Sequence, residues 1–385
     1  MRRICEILGV AVIAYLTDVE GRWDKLVSFA DGNPHVALAG EALVLAEGVT
    51  FVFGGDAIDR GPSGRKIIRT LLAARRRYGD RVILLAGNRD LNKLRLRREL
   101  DVPGPRGDLL RTIFESTMGA PRAFAHRATE LAAEGRAHHD EAVVESYLED
   151  LAGDLHAYLD EARLAYRSGA TLFVHGGVTR ESFVTDGVGE WIAELARFYR
   201  DEMSVFGRGD HPAALIAYQA PVPGTHLNQA SVVYARPTDE HGNPELPDAA
   251  VIAKLRASGI ERLVVGHTPS GDCPAIVRDD GFELVLGDNS YGRIELGSQL
   301  AFTDDETTVR GVTELDDGSH VRIAYTTQRK DRTPLGRRDA VSGQLVKAVL
   351  DDDAYLLFRG LEDHRVEQLV IDGDELRART FVTAR

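Results

Sequence analysis

Five short segments of the chain carry oxygen and nitrogen side chains of the kind that bind divalent cations. They occur in the order TDVEG at Thr17–Gly21, GGDAIDRG at Gly54–Gly61, AGNRD at Ala86–Asp90, VHGG at Val174–Gly177 and VVGHTP at Val264–Pro269. Each segment directly follows an apolar run that is typical of a buried strand. Because ligands of open α/β sheets bind at the carboxyl ends of the strands, we expect these side chains to meet at one edge. The candidate metal ligands, a set suited to two divalent cations, are Asp18, Glu20, Asp56, Asn88, His175 and His267.

The elements that must position these residues follow from the patterns along the chain. In the first part, each strand candidate is followed by a helical pattern, which indicates parallel strands in a layered α/β architecture. These strand candidates are Val10–Leu16, Val49–Phe53 and Val82–Ala86. A long amphipathic stretch at about residues 105–167 then predicts several helices, inserted as a cap over or beside the site.

The second part of the chain predicts mostly strands. Thr171–Val174 and Arg262–Val265 deliver the two histidines, and period-two alternation after Gly266 predicts antiparallel strands at Ala275–Arg278 and Glu283–Leu286. Beyond about residue 300, either an extension of the sheet or a small β-rich appendage is expected. Its strand candidates are His320–Thr326, Tyr355–Arg359 and Arg377–Val382. We therefore expect one domain at residues 1–300, with the helical insertion, and a β-rich C-terminal extension at residues 301–385.

The five segments together resemble a known family. GDAIDRG is similar to the GDxxDRG signature of the PPP-type phosphoprotein phosphatases, and the other segments resemble the DxHG, GNHE, HGG and GHTP blocks in the same order. The resemblance covers about residues 15–295 and is greatest for the bacterial and phage branch, with its lambda-type phosphatases and diadenosine tetraphosphatases. It implies a calcineurin-like metallophosphoesterase, whose fold is a four-layer α-β-β-α sandwich. The domain at residues 1–300 is then the catalytic one.

The resemblance also implies a role for each residue. Asp56 is the natural bridging carboxylate, because one aspartate can hold two cations about 3.5–4 Å apart. Asp18 and Glu20 would complete the first metal site, and Asn88, His175 and His267 the second. The cations would generate a bridging hydroxide near neutral pH, which attacks phosphorus in line. Phosphate would be bound by the planar fork of Arg60 and by Arg236, since SVVYARP resembles the W-x-R segment of the lambda-type enzymes.

Glu20 is the first of two departures from the family pattern, since it stands where the family has histidine. A carboxylate suits Mn²⁺ and Mg²⁺, whereas imidazole suits zinc and iron. We therefore expect two divalent ions, Mn²⁺ or Mg²⁺. The alternative is that Glu20 points away and that the first site is weak or empty.

Arg89 is the second departure, because it replaces the histidine of GNHE. The family's histidine is thought to protonate the leaving oxygen, whereas arginine stays charged and cannot donate that proton. General acid catalysis contributes about 10²–10⁴-fold, so its loss matters most for poor leaving groups. We expect a preference for aryl or activated phosphates, with Arg89 as a phosphate-binding and catalytic residue and Asp90 holding it in place. Asp288 is expected next to the ligands, and a Tyr291 that reaches the site is left open as the less favoured alternative.

Three functions stay open from the sequence. The first is phosphomonoester hydrolysis of a phosphopeptide, a small phosphate ester or a nucleotide. The second is hydrolysis of dinucleoside polyphosphates or other pyrophosphates. The third is a catalytically weak module that binds metal or phosphate. The basic run Arg89–Arg98 could widen an anionic pocket, although a solvated helix face is the commoner reason for such a run.

Composition excludes some partners and compartments. The 385 residues are 43% apolar and 28% charged, as in an ordinary globular enzyme, and the net charge of −13 argues against nucleic acid as a partner. No apolar run approaches the roughly 18–20 residues that span a membrane. The start, MRRICEILGVAVIAYL, mimics a signal peptide but leads directly into Asp18, so we interpret it as a core strand. Cys5 and Cys273 are expected to be buried and unpaired, which favours a cytoplasmic location.

Overall fold

The computed structural model describes residues 11–362 and 365–384. Its strands, in chain order, are β1 Val12–Leu16, β2 Val36–Ala39, β3 Ala42–Leu45, β4 Val49–Phe53, β5 Val82–Leu85, β6 Ala162–Arg163, β7 Ala165–Ser168, β8 Thr171–Val174, β9 Arg262–Val265, β10 Ala275–Asp279, β11 Phe282–Leu286, β12 Gln299–Phe302, β13 Glu306–Glu314, β14 His320–Gln328, β15 Arg337–Asp339, β16 Leu345–Val349, β17 Ala354–Gly360, β18 Val366–Asp372 and β19 Phe381–Thr383.

The helices alternate with the early strands, and the longest described helix, α9, lies between β8 and β9. They are α1 Trp23–Ala30, α2 Gly64–Tyr78, α3 Asn88–Leu91, α4 Leu96–Glu99, α5 Gly107–Ser116, α6 Ala123–Ala133, α7 Asp140–Ala152, α8 Asp154–Glu161, α9 Val188–Gly207, α10 Ala213–Tyr218, α11 Ala249–Ala257 and α12 Gly373–Arg377. Short 3₁₀ turns at Gly79–Arg81 and Asn92–Arg95 complete the set. No helix of the described ranges combines the length and the apolar character that crossing a membrane requires.

Two main sheets carry the site. In the first, the order is β14-β13-β12-β1-β4-β5-β6, with β1, β4, β5 and β6 parallel and β12 to β14 antiparallel. In the second, the order is β10-β11-β9-β8-β7, with β11, β9 and β8 parallel. The expected antiparallel pairing of β10 with β11 is confirmed, while β11 runs parallel to β9. Parallel neighbours bring the carboxyl ends of their strands to the same edge of a sheet.

Successive side chains of a strand point to opposite faces of the sheet, so they pack alternately between the two sheets and against the helices. Tyr15, Val52 and Ile83 point into the apolar layer between the two sheets, together with Phe173 and Val264 of the second sheet. The alternate positions of these strands join the larger core that also contains helix residues. That core includes Ala14, Phe51 and Leu84 from the first sheet, Leu263 and Leu284 from the second, and residues of α1, α2, α9 and α11. The expected four-layer order of helix, sheet, sheet and helix is confirmed.

The helical insertion packs against the first sheet through α8. Helices α5 to α8 occupy most of the stretch in which helices were expected, and the chain then enters β6 and β7. Tyr158 of α8 is buried, contacts Phe53 edge-on, and donates a hydrogen bond to the Leu85 carbonyl at 2.9 Å. The loop after α5 reaches the cavity described below through Thr117 and Met118.

The C-terminal part combines both arrangements that the sequence left open. Strands β12 to β14 extend the first sheet, so this sheet continues through Gln328, past the expected boundary at residue 300. Strands β15 to β19 form a separate five-stranded sheet among the described residues. The predicted strand at Arg377–Val382 is wrong at its start: Gly373–Arg377 is helical, with an Asp372 cap, and the strand begins at Phe381. Cys273 is buried as expected, whereas Cys5 and the start of the first strand at Val10 lie outside the described residues.

Candidate active site

The predicted ligands lie at the carboxyl edges of the two main sheets. Asp18 and Glu20 follow β1, Asp56 follows β4 and Asn88 follows β5, while His175 and His267 follow β8 and β9. The loops that carry them are tied together by backbone hydrogen bonds. Asp18 N–H donates to the Gly55 carbonyl at 3.0 Å, and Glu20 N–H donates to the Asp56 carbonyl at 2.9 Å.

Four of these ligand candidates have a strained backbone. Asp18, Glu20, Asp56 and His267 adopt φ of 51°, 48°, 58° and 62°, in the left-handed region that favours glycine. Each such residue costs about 1–3 kcal/mol and persists only where the surroundings over-determine it. Strain of this kind concentrates at functional sites, and here it turns the side chains toward one another.

The second predicted metal set converges on one point. The Asn88 Oδ1 atom lies 2.8 Å from His267 Nδ1 and 3.2 Å from His175 Nε2, and His175 Nε2 lies 3.4 Å from Asp56 Oδ1. One ligand atom each from Asp56, His175 and His267 lies within 4.8 Å of the others. These residues are nearly or completely buried, with His267 somewhat more exposed than the other two.

The surroundings of this set fit a bound cation. Among the described residues, His267 Nε2 is buried without a hydrogen-bond partner. A Cβ on Gly87 would lie 2.1 Å from Asp56 Oδ1, and one on Gly266 would lie 2.4 Å from Asp18 Oδ2. Glycine at these two positions therefore leaves room for the carboxylates. Two imidazoles, a carboxylate and an amide oxygen form a mixed N/O donor set of the type that binds divalent metals.

Charge coupling between the ligands sets their protonation without a metal. Burial alone would raise the pKa of Asp56, but His175 outweighs it and lowers the pKa to about 2. Burial disfavours a charged His175, but Asp56 outweighs this and raises the His175 pKa to about 10. Burial and the neighbouring His175 hold the pKa of His267 well below its usual range. These shifts favour an ionised Asp56 beside a protonated His175 and a neutral His267.

The side chains of Glu20 and Arg89 contact each other. Arg89 Nε lies 2.6 Å from Glu20 Oε1, and Arg60 Nη1 lies 3.0 Å from Glu20 Oε2. Both carboxylate oxygens of Glu20 are therefore paired with guanidinium groups. Arg89 Nε also lies 3.7 Å from Asp56 Oδ2.

Tyr291 and Glu295 complete this arginine cluster. Arg89 Nη2 donates to the Tyr291 hydroxyl at 2.8 Å, while the Arg60 guanidinium stacks 3.7 Å from the centroid of the Tyr291 ring. Glu295 accepts a hydrogen bond from Arg60 Nη2 at 2.9 Å. Tyr291 reaches the site as the sequence allowed, whereas Glu295 lay in no recognised motif.

Asp18 is held by groups from three segments. The His267 N–H lies 3.2 and 3.1 Å from its two carboxylate oxygens, and the Thr17 hydroxyl donates at 2.5 Å. The buried Lys25 ammonium donates to the Asp18 carbonyl at 2.6 Å. Burial and the neighbouring Asp288 raise the pKa of Asp18 well above its usual range. Asp288 therefore lies beside Asp18, where the sequence analysis expected it.

Asp90 supports the backbone of the site and does not touch the Arg89 side chain. Its carboxylate accepts N–H bonds from Asp56, Ala57 and Gly87 at 2.9, 2.8 and 3.0 Å. The expectation that Asp90 holds Arg89 is therefore replaced by a role in joining two ligand loops. The physical reason is that backbone N–H groups from the loop after β4 and from Gly87, just before α3, lie nearer to this carboxylate than the guanidinium does.

Lys93 corrects the interpretation of the basic run. It is fully buried, and its ammonium lies 2.5 Å from Asp59 Oδ2 and 3.0 Å from the Arg89 carbonyl. Lys93 therefore lies neither on a solvated helix face nor in an anionic pocket, because its ammonium is paired with the buried Asp59 carboxylate. Asn92 and Arg95 of the same run do line the cavity.

The ligands open into a cavity of about 740 Å³. This volume lies in the range of small-molecule sites, about 300–1,000 Å³. Its walls include Arg89, Tyr291 and the exposed Arg236 near the ligands, and Phe358 and Arg365 from the C-terminal sheet. The contribution of the C-terminal sheet escaped the sequence analysis, because nothing in a strand's own residues says which distant cavity it borders. Arg60 is paired with Glu20 and Glu295, stacks on the Tyr291 ring, and is not among the residues that line the cavity.

Comparison with known proteins assigns the family. A sequence model described as calcineurin-like phosphoesterase matches residues 11–271. No curated protein sequence matches the chain.

Among solved structures, the chain is similar to a cold-active protein-tyrosine phosphatase of a psychrophilic Shewanella species, with 16% identity, 82% of this chain and 80% of that chain covered, and a TM-score of 0.47. It is also similar to a protein serine/threonine phosphatase from Saccharomyces cerevisiae (12% identity, 77% and 74% covered, TM-score 0.43). A metallophosphoesterase from Sphaerobacter thermophilus matches with 13% identity, 82% and 88% covered, and a TM-score of 0.35.

The family model covers five ordered motifs and more than half of the chain. Its match agrees with a site in which buried carboxylate, amide and imidazole groups converge beside arginines. The chain therefore belongs to the calcineurin-like phosphoesterase family, whose members hydrolyse phosphoesters with the help of bound metal.

Proposed function

We propose that this protein hydrolyses phosphomonoesters with a divalent cation, Mn²⁺ or Mg²⁺, bound by Asp56, Asn88, His175 and His267. The observation that carries the proposal is the convergence of ligand atoms from Asp56, His175 and His267 within 4.8 Å. Asp56 and His267 of this group line an open cavity, which Arg89 also lines. When bound there, such a cation polarises phosphoryl oxygens and lowers the pKa of a water molecule.

The side chains around the ligands have separate tasks in this proposal. Asp90 fixes the backbone of Asp56 and Gly87, which keeps the ligand loops in register. Arg89 presents a permanent positive charge and directional N–H donors toward a phosphoryl group. The predictions that Arg60 and Arg236 also bind phosphate remain part of the proposal, with Arg236 exposed on the cavity wall.

A second ion remains a prediction from the sequence. It would involve Asp18, Glu20 and the bridging Asp56. Both oxygens of Glu20 are paired with arginines, so a second ion would compete with those ion pairs.

The nature of residue 89 supports a preference for good leaving groups. A guanidinium group stays protonated and does not hand a proton to the leaving oxygen. Aryl phosphates and phosphoanhydrides release stable anions and need that proton least. Phosphotyrosine-like or activated phosphates are therefore the proposed substrates.

The test is hydrolysis by metal-stripped protein to which Mn²⁺ is returned, with an aryl phosphate and an alkyl phosphate compared at equal concentration. We expect turnover of the aryl ester that depends on Mn²⁺ and falls at least about 100-fold in Asp56→Asn, with the alkyl ester about 10²–10⁴-fold slower. Turnover no greater than in Asp56→Asn contradicts the proposal and favours a module that only binds metal or phosphate. Equal turnover of the two esters contradicts the leaving-group preference alone.

A dinucleoside polyphosphate is a second candidate substrate. The cavity is large enough for more than one phosphate group, and Arg95, Arg293 and Arg365 line it in addition to the arginines near the ligands. If such a compound is the substrate, its kcat/KM will exceed that of a simple aryl phosphate in the same assay. A lower kcat/KM contradicts this candidate.

A further inference from the structure

We infer that the guanidinium group of Arg89 takes the place of the first metal ion, so that the protein binds one divalent cation per chain. This inference rests on the proposed function, because it concerns the same site. It assigns Arg89 as a built-in cation beside the single metal, with Glu20 as its partner and not as a metal ligand.

The positions of the donors are the first argument. The Arg89 guanidinium lies between two of the three carboxylates expected to hold the first ion, 2.6 Å from Glu20 Oε1 and 3.7 Å from Asp56 Oδ2. Arg60 takes the other Glu20 oxygen at 3.0 Å. Glu20 therefore offers no free oxygen to a cation. Among the described residues, the one cluster with metal-binding spacing consists of Asp56, His175 and His267, without Glu20.

Arg89 is fixed from several directions, which is the second argument. Its Nη2 donates to the Tyr291 hydroxyl at 2.8 Å, and its backbone N–H donates to Asp56 Oδ1 at 2.8 Å. Nη1 lies 4.0 Å from Asp59 Oδ2. Only 11% of the side chain is exposed. A second cation would have to displace a buried group that already has its partners, and it would face that group's positive charge.

The opposite charges of Glu20 and Arg89 also balance each other. The Arg89 guanidinium is paired with Glu20 at 2.6 Å and lies 3.7 Å from Asp56 Oδ2. Without Arg89, the buried Glu20 would keep only Arg60 as a partner, and without Glu20 the buried Arg89 would lose its nearest carboxylate; either loss is costly. Together they neutralise each other. The two departures from the family motifs are therefore one coupled exchange.

The experiment counts the bound ions. Metal-stripped protein is titrated with Mn²⁺ and followed by calorimetry and by electron paramagnetic resonance, which distinguishes an isolated Mn²⁺ from a spin-coupled pair. We expect one ion per chain and the spectrum of an isolated ion. Two ions with a coupled spectrum would overturn the inference.

Variants make the test specific to Arg89. Arg89→Ala and the double variant Glu20→His/Arg89→His are each expected to bind two ions and to give the coupled spectrum. Arg95→Ala removes another arginine of the same cavity and is expected to keep one ion. Circular dichroism and thermal unfolding confirm that each variant is folded. If folded Arg89→Ala still binds one ion, the guanidinium does not exclude the second, and the inference is wrong.

Failure of the inference and failure of the proposed function are separable. One ion without turnover of any phosphate ester supports the inference and contradicts the function. Two bound ions together with turnover contradict the inference and support the function. No bound ion at all contradicts both.

Discussion

Arg89 and Glu20 form a buried ion pair in the candidate site, with Arg89 Nε 2.6 Å from Glu20 Oε1. Arg60 lies 3.0 Å from the other Glu20 oxygen, so both oxygens of this carboxylate have an arginine partner. A carboxylate that is fully paired is a poor metal ligand, because binding a cation requires breaking those pairs first. The ion-pair geometry therefore bears directly on the number of metals.

Tyr291 gives a prediction at the residue scale. Tyr291→Phe removes the hydroxyl that accepts from Arg89 Nη2 but keeps the ring against Arg60. We expect kcat/KM for an aryl phosphate to fall about five- to tenfold, because a hydrogen bond to a charged group contributes about 1.5–3 kcal/mol and part of it is replaced by water.

Tyr291→Ala is the matched comparison. It also removes the aromatic face, an interaction of about 0.5–1 kcal/mol at an exposed site, and should cost a further few-fold. Steady-state kinetics of the two variants measure both contributions. Wild-type kinetics in Tyr291→Phe would mean that the hydroxyl does not position Arg89.

At the scale of elements, the strand ends and the glycines that follow them position the ligands. Gly87 has φ −92° and ψ 167°, an extended backbone that any residue can adopt, so its requirement is for space alone. Gly55 has φ 101°, and a Cβ there would also lie 2.6 Å from the Gly87 nitrogen. The loops after β4 and β5 therefore approach each other as closely as they do because neither side chain intervenes.

Gly87→Ala tests this close approach. The added methyl group would lie 2.1 Å from Asp56 Oδ1, so Asp56 must move. We expect Mn²⁺ affinity to fall at least about tenfold and stability to fall by about 1–3 kcal/mol, as for other overpacked sites. Calorimetric titration and thermal unfolding are the measurements.

Gly189→Ala is the control for that substitution. Gly189 lies near the start of α9, and a Cβ there meets nothing within 4 Å. This variant should bind Mn²⁺ as the wild type does and should gain up to about 1 kcal/mol of stability. Unchanged Mn²⁺ affinity in Gly87→Ala would contradict the role of that glycine.

At the scale of the whole molecule, a buried ion network joins the two main sheets. Glu283 of β11 is fully buried and pairs with Arg262 at 2.9 Å and with Arg278 at 2.6 Å. Arg262 Nη1 also donates to the Thr303 carbonyl at 2.8 Å, and Arg278 Nη1 to the Thr327 hydroxyl at 2.9 Å, both on the side of the first sheet. The network holds the sheets in the relation that lets their edges share one site.

Glu283→Gln is the prediction at this scale. It leaves two buried guanidinium groups without their carboxylate, and we expect a loss of about 3–5 kcal/mol in the free energy of unfolding. Chemical denaturation at pH 7 measures the loss. Glu161→Gln breaks an exposed pair with Arg75 and should cost less than about 1 kcal/mol.

The Glu283 contribution also depends on pH. Burial would raise the Glu283 pKa, but Arg278 and Arg262 outweigh it and hold the pKa below its ordinary value. A carboxyl group whose pKa is lowered on folding stabilises the protein above its unfolded pKa, about 4.3, and loses this contribution as the pH falls further. The difference between wild type and Glu283→Gln should therefore shrink in acid. A difference that stays constant from pH 7 to pH 3 would contradict the assignment.

The types and order of the residues were enough to predict the strands that carry the candidate ligands and the phosphoesterase class of reaction. Strands β1, β4, β5, β8 and β9 were predicted to within a residue or two over their described part, because each is a short apolar run that ends at a polar motif. The phosphoesterase family followed from five motifs in order, which local residue type and spacing fully specify. Period-two alternation also predicted β10 and β11, and the strands named beyond residue 300 include β14 and β17. The prediction failed at Arg377, which ends a helix that begins after the Asp372 cap.

The partners of the charged groups in the site could be learned only from the folded structure. The contacts of Arg89 with Glu20, of Lys93 with Asp59, and of Asp90 with backbone N–H groups join parts of the chain that sequence patterns treat separately. The same holds for the cavity wall from the C-terminal sheet. A pattern of residues records the preference of each segment for an element and a face. Which charge pairs with which depends on distances set by the packing of both sheets, and those distances are a property of the folded chain.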